Sequence, residues 1–342
     1  MEAERRRLEF LREATRTASP ARQRSLRAII GNDAHDPAIE AAYLQNPFFQ
    51  LTEAEARVLW EDANPSAMRR LISARDAASR VAAPKYSVFC MPKSGSSFTS
   101  NALQHALDLP AMSLTSFGAA GVSSYFGMNS REQEIDELAL TKAILNAPGG
   151  FVSQNHTRYS MYLALQMRTF GISPIVTVRN VLDCIVSFDD MMMSWRSAQG
   201  EGDWTSDAQF ALPKDYADLE PATRLEILGR SFGVWLINFY LAWKRGGTQK
   251  LVTPLVIRYE EDILDKDRFV ELISGHIQMS DEQKRRLVEF THKPDPVKAR
   301  LNVGVSGRGR QLMPPSVVEF LRDHIGVFRG EIAEDEVRYL IQ

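Results

Sequence analysis

With 342 residues, 44% of them hydrophobic, the chain can bury a full core, which excludes disorder over most of its length and suits one large α/β domain or two small ones. Lysine and arginine total 41 against 43 acidic residues, and the net charge of -2 excludes a global attraction to nucleic acid or anionic membrane, so any anion site is local. The two cysteines, Cys90 and Cys184, are too few for a disulfide framework; they fit a reducing compartment and are expected to fill core.

At the start, Met1 to Arg16 alternates acids with arginines and has too few apolar residues for a signal peptide, which predicts a cytoplasmic protein. Residues 1–80 carry helical spacing with charged faces, punctuated by Pro47 and Pro65, and read as a helical accessory region; residues 81–342 read as the main domain. That domain opens on a β-favouring run, Lys85 to Met91, ended by Pro92 and a Gly/Ser turn. Further short apolar runs stand at Gly150 to Ser153, Ser173 to Val178 and Val252 to Arg258, each followed by a helical pattern. Strands alternating with helices predict an α/β fold with a parallel sheet covered on both faces. Gly233 to Trp243, apolar but for Asn238, falls far short of the roughly 20 residues that cross a bilayer and predicts a buried helix. Two long stretches without a clear period, Leu109 to Asn129 and Ser197 to Pro221, read as lids or binding loops, or else as surface insertions.

The segment after the first strand, Pro92 to Phe98, reads P-K-S-G-S-S-F. Gly95 permits a tight turn and close backbone approach, while Ser94, Ser96 and Ser97 supply hydroxyls beside the free amides that open the next helix. The helix end and Lys93 both add positive potential, so the segment is built to cradle an anion. It is not a Walker A loop, in which the lysine follows the second glycine; here Lys93 precedes the glycine by two. The order resembles the 5′-phosphosulfate loop of sulfotransferases that use 3′-phosphoadenosine-5′-phosphosulfate (PAPS), P-K-S/T-G-T-T-W.

A second motif closes the third strand: V-T-V-R-N-V-L-D-C-I-V-S, in which Arg179 ends the strand, Asn180 can cap the next helix and Ser187 lies two turns along it. One phosphate can touch both Arg179, through a planar pair of donors, and Ser187. Arg179, Asn180, Asp183 and Ser187 fall in register with the V-x-R-N-P-x-D-x-x-x-S site that binds the 3′-phosphate in the same family, with Val181 in place of the proline. Alone, Arg179 also reads as a strand-end ion pair and Ser187 as an ordinary helix serine; the ordered occurrence of both motifs favours the family.

Between them, G-G-F-V-S-Q-N-H-T-R places His156 at the carboxyl end of a strand, where parallel sheets bind ligands and where a histidine can accept a proton at neutral pH. The family's catalytic base lies in a K-T-H segment at this place, so the resemblance implies His156 as base; Gln154 stands where the family has the lysine. Glu132, Glu134 and Glu137 are the alternative bases, a purely structural histidine is the remaining reading of His156, and His105 reads as a packed or capped residue. Near the end, Lys298 to Gln311 is basic and glycine-rich and resembles the family's R-K-G-x-x-G-x-W phosphate loop through Gly304 and Gly307; Asn302 stands at the family's arginine, leaving Arg300, Arg308 and Arg310, with Gly309, as candidates. Phe98, in place of the family's tryptophan, either offers an aromatic face to adenine or fills core. Arg258 and Glu260, in a stretch like the family's L-x-x-R-Y-E-D-L, read as structural.

The resemblance covers about residues 85–325 and implies a three-layer P-loop-like fold, sulfuryl transfer from PAPS with adenosine 3′,5′-bisphosphate (PAP) as product, and a hydroxyl or amine acceptor on a small molecule or carbohydrate. No metal is expected, since the six histidines and two cysteines form no spaced ligand cluster. Neither a nucleic-acid partner nor a membrane span is expected, and oligomeric state is not readable. Met191 to Met193 and Trp195 read as an apolar acceptor wall or as core. The rival readings are an ATP-using P-loop kinase, disfavoured by the lysine order, and a PAP-binding sensor or scaffold without turnover, which Gln154 keeps open.

Overall fold

The computed structural model describes residues 73–115, 133–199, 212–293, 306–328 and 330–342, with the side chains of 195–199 excepted. The chain divides between Ala78 and Ser79, so the accessory region expected before residue 80 lies almost wholly outside the described residues.

Ser79–Gln342 is an α/β unit with four parallel strands among the described residues: β1 (Lys85–Cys90), β2 (Phe151–Asn155), β3 (Ile172–Val178) and β4 (Leu255–Arg258), in the order β2-β1-β3-β4. These are the four expected runs with shifted ends. β2 continues to Asn155 because the main chain of Gln154 and Asn155 still pairs beside Val88 and Phe89, whatever the polarity of their side chains. β4 begins only at Leu255, after Pro254, which has no amide to give the ladder.

The helices that cover the sheet are α1 (Ser96–Leu107), α2 (Glu137–Asn146), α3 (Met161–Phe170), α4 (Val181–Gln199), α5 (Pro221–Leu228), α6 (Val234–Thr248), α7 (Lys266–His276) and α8 (Asp281–His292). Three more follow: α9 (Arg308–Leu312), α10 (Pro315–Gly326) and α11 (Glu334–Ile341). Alternation along the strands divides the core. Val88, Cys90, Ile175 and Ile257 face a cluster with Phe98 of α1, Phe269 and Ile273 of α7 and Phe290 of α8. Phe89, on the opposite face, has its ring 4.7 Å from that of Trp243 on α6. The apolar run ending at Trp243 is the expected buried helix, entered through a π-helical turn at Gly229–Gly233. No described helix is long and apolar enough to cross a membrane.

β1 has β2 on one side and β3 on the other, so the chain leaves β1 first to one side and then crosses to the other. In open parallel sheets the carboxyl ends beside such a reversal are where ligands bind. The loop of Lys93, His156 and Arg179 follow β1, β2 and β3 at that edge.

Candidate functional site

The turn after β1 is held from below by Ser94. Its hydroxyl lies 2.6 Å from the carbonyl of Met91 and 2.7 Å from Thr177 Oγ1 on β3, and it is fully buried. Ser94 therefore anchors the loop rather than facing outward. Lys93 takes φ +70° and Gly95 φ +79°, two left-handed residues flanking Ser94, and Gly95 opens α1 with no side-chain cap on its first amides. Ser96 and Ser97 stand in that first turn. Ser96 Oγ accepts from Gln154 Nε2 at 2.9 Å, so the residue in the family's lysine position braces the loop as a neutral donor.

Gly95 cannot be replaced without cost. A Cβ there would lie 2.7 Å from Ile263 Cδ1 and 3.0 Å from Tyr259 Cδ2, on a backbone that L residues rarely adopt. Gly95→Ala is expected to lose ~1–3 kcal/mol of stability in urea unfolding. Gly247→Ala, inside α6 with nothing within 4 Å of the added Cβ, is expected to be neutral or to gain ~0.5–1 kcal/mol.

Arg179, at the end of β3, reaches back to this loop: its Nη1 donates to the carbonyl oxygen of Lys93 at 3.0 Å. The guanidinium carbon sits 4.2 Å from the centre of the Tyr259 ring, with carboxylates at 3.7 Å (Glu260) and 3.8 Å (Asp183). Two motifs 86 positions apart thus form one structure. Asn180 Oδ1 accepts from the amides of Leu182 and Asp183, the expected cap of α4. Asp183 and Ser187, four residues apart on α4, share a helix face, and both are buried. Lys93 Nζ lies 3.7 Å from Met191 Sδ, one turn further on.

The last segment arrives on the same helix. Asp183 accepts from Ser306 Oγ, the Gly307 amide and the Gly309 amide at 3.0, 2.7 and 2.6 Å. Gly309 packs so closely that a Cβ would lie 2.3 Å from the carbonyl carbon of Leu182, and Gly307 takes φ +89°. The two glycines serve docking onto α4, a cause the sequence did not suggest. Arg308 donates to Asp190 at 2.6 Å, and Arg310 is exposed. Arg300, Asn302 and Gly304 lie outside the described residues.

His156 follows β2. Its Nδ1 is 3.0 Å from the Cys90 carbonyl oxygen and 3.2 Å from Cys90 Sγ, while that thiol lies 3.3 Å from the Asn155 carbonyl. Burial pushes the Cys90 thiol up to about 12, so it stays protonated and donates to Asn155. A carbonyl only accepts, so Nδ1 carries the imidazole proton and the lone pair is on Nε2. Burial holds the imidazole below its usual 6.5, the bond to the Cys90 carbonyl opposes this, and the nearby charge of Lys93 adds to the lowering. The histidine is neutral at pH 7. Its backbone amide donates to Gln133 Oε1 at 2.8 Å, a support from the segment before α2 that only the fold reveals.

The other candidates fall elsewhere. Phe98 is fully buried, its ring 5.2 Å from that of Phe269 and 5.9 Å from that of Phe290, so it serves the core rather than an adenine. His105 is exposed on α1 beside Phe290. Glu134 is exposed, Glu137 accepts from the Tyr162 hydroxyl, and Glu132 lies outside the described residues, as do the Trp195 side chain and most of the two long loops. Met192 is core. A cavity of about 520 Å³ beside β4, lined among others by Val176, Val178 and Arg268, is lined by none of Lys93, His156, Arg179, Ser187 or Arg308.

The fold and site define a parallel α/β protein that gathers a basic Gly/Ser loop, a strand-end arginine and a neutral histidine at the carboxyl edge of its sheet. Among solved structures, mouse sulfotransferase SULT7A1 complexed with PAP is similar, with a TM-score of 0.45 and 16% sequence identity over 77% of this chain and 93% of that one. No protein-family model and no curated protein matches the sequence.

Proposed function

We propose that the chain is a sulfotransferase that moves the sulfuryl group of PAPS to a hydroxyl or amine of a small-molecule or carbohydrate acceptor. The carrying observation is the hydrogen bond from Arg179 to the Lys93 carbonyl, which supports reading the two anion motifs as the two ends of one nucleotide site. In this reading Lys93, the amides of Gly95, Ser96 and Ser97 and the Ser96 and Ser97 hydroxyls take the 5′-phosphosulfate. Arg179, Ser187 and Arg308 take the 3′-phosphate; Gly309 holds Arg308 in place through its contact with α4.

His156 Nε2 removes the acceptor proton as the acceptor oxygen or nitrogen bonds to sulfur. The bond from sulfur to the 5′-phosphate oxygen breaks, and Lys93 stabilises the charge left on that oxygen. Such a displacement depends mostly on positioning and electrostatics, as phosphoryl transfer does. Gln154 favours one other reading, a PAP-binding protein without turnover, because it braces Ser96 but brings no charge to the transferring group.

The expected result is that PAP raises the melting temperature of the folded protein substantially, since a ligand bound only by the native state stabilises it, whereas Mg²⁺-ATP raises it much less. Equal or greater stabilisation by Mg²⁺-ATP in a thermal-shift titration overturns the proposal. Turnover of labelled PAPS with a panel of acceptors separates the enzyme from the non-catalytic reading.

A further inference from the structure

Arg179 is a long side chain asked to present a flat pair of donors, and such donors match a phosphate only if their plane is fixed. Part of the fixing comes from Asp183 in its own motif and from the Lys93 carbonyl. More comes from two segments far along the chain. Glu260, in the π-helical turn Tyr259–Ile263 after β4, places Oε1 3.7 Å from Arg179 Nε and 3.2 Å from the Asn180 amide, which donates to it. The other carboxylate oxygen, Oε2, accepts from the Tyr339 hydroxyl of α11 at 2.7 Å. That hydroxyl is also 3.2 Å from the Val178 carbonyl oxygen, the last of β3. Asn180 Nδ2 in turn donates to the Tyr339 carbonyl at 2.9 Å. The ring of Tyr339 lies under the Arg258 guanidinium, 4.9 Å from its centre.

We infer that Tyr339 is a positioning residue for the 3′-phosphate site, acting through Glu260 to set the plane of Arg179 and the start of α4. This rests on the sulfotransferase reading given above. One hydroxyl touches the residue before Arg179 through Val178, and through Glu260 it touches both Arg179 and Asn180. Burial and the Glu260 charge push the phenol well above its usual range, so it keeps its proton and remains a donor at any working pH. The carboxylate is itself pushed up by burial, against which the bonds from Tyr339 and Asn180 hold it. Removing the phenol oxygen leaves the ring in place but leaves Glu260 Oε2 with one donor fewer, free to turn and take Arg179 with it.

The test uses the full chain and compares binding of PAP with binding of adenosine 5′-monophosphate by calorimetry. Wild type is expected to prefer PAP. In Tyr339→Phe the affinity for PAP is expected to fall about tenfold while that for the monophosphate changes less than about twofold. Glu260→Gln is expected to reduce the same preference, and adding Tyr339→Phe to it is expected to cost little more, because the second residue acts through the first. An unchanged preference in Tyr339→Phe, equal losses for both nucleotides, or full additivity in the double variant overturns the inference. A wild-type protein that does not prefer PAP overturns the underlying reading as well, and so marks a different failure.

Discussion

Replacing His156 with asparagine is expected to leave folding and nucleotide affinity in place and to lower single-turnover sulfuryl transfer by ~10²–10⁴-fold, the usual contribution of a general base. Asparagine keeps comparable size and can still donate to the Cys90 carbonyl, as Nδ1 does at 3.0 Å, but it has no basic nitrogen in the place of Nε2. Single turnover is the right measurement because slow product release can hide a damaged chemical step. His105→Asn is the control; its exposed ring touches Phe290 and is expected to matter little. The pH profile carries a sign. A base held below its usual 6.5 stays deprotonated through neutral pH, so the wild-type rate is expected to be flat around pH 7 and to fall only below 6.5. The same lowering means that the unfolded chain binds a proton here more readily than the native one. This group therefore adds to stability above 6.5 and loses that contribution as the pH falls below it. A wild-type single-turnover rate in His156→Asn rejects the assignment, and the glutamates at 132, 134 and 137 become the next positions to test.

The second large effect is expected for Arg179→Ala. Its guanidinium bonds the Lys93 carbonyl and stands between Glu260 and Asp183, so its loss removes both a ligand and the brace of the loop. A charge-assisted hydrogen bond contributes ~1.5–3 kcal/mol, so the affinity for PAP is expected to fall roughly 10- to 150-fold. The loss should be concentrated on the 3′-phosphate, shrinking the preference for PAP over the monophosphate. Arg179→Lys keeps the charge but not the planar fork, and is expected to fall between the two. The variant is also expected to unfold at a lower temperature, because the buried Asp183 and the partly buried Glu260 then lose the cation between them. If calorimetry finds the PAP preference of Arg179→Ala intact, the 3′-phosphate binds elsewhere.

Much of this protein was legible in local pattern, and the reason is physical. The runs that became β1 and β3 are rich in apolar and β-favouring residues, as strands covered on both faces need. The P-K-S-G-S-S order was readable because a left-handed turn and an uncapped helix start demand particular residues at particular places, and Gly95 at φ +79° meets that demand. The cap by Asn180 is likewise a contact within three residues. His156 stood out because a strand's carboxyl end is set by the strand itself.

What the sequence could not decide is how side chains are used once distant segments meet. Ser94 reads like its neighbours, yet its hydroxyl is taken by Thr177, 83 positions away. Phe98 is turned into the core by α7 and α8, which lie more than 150 positions later. Gly307 and Gly309 read as residues of a ligand-wrapping loop; their docking on Asp183 and Leu182 is what the fold adds. Gln133, Asp190 and Tyr339 carried no local signal at all, since each is defined by a partner 23 to 161 positions off. Backbone propensity and strand ends act over a few residues and can be read in order; hydrogen-bond partners are chosen by whichever groups the finished sheet and helices bring within 3 Å, and only the tertiary structure decides those.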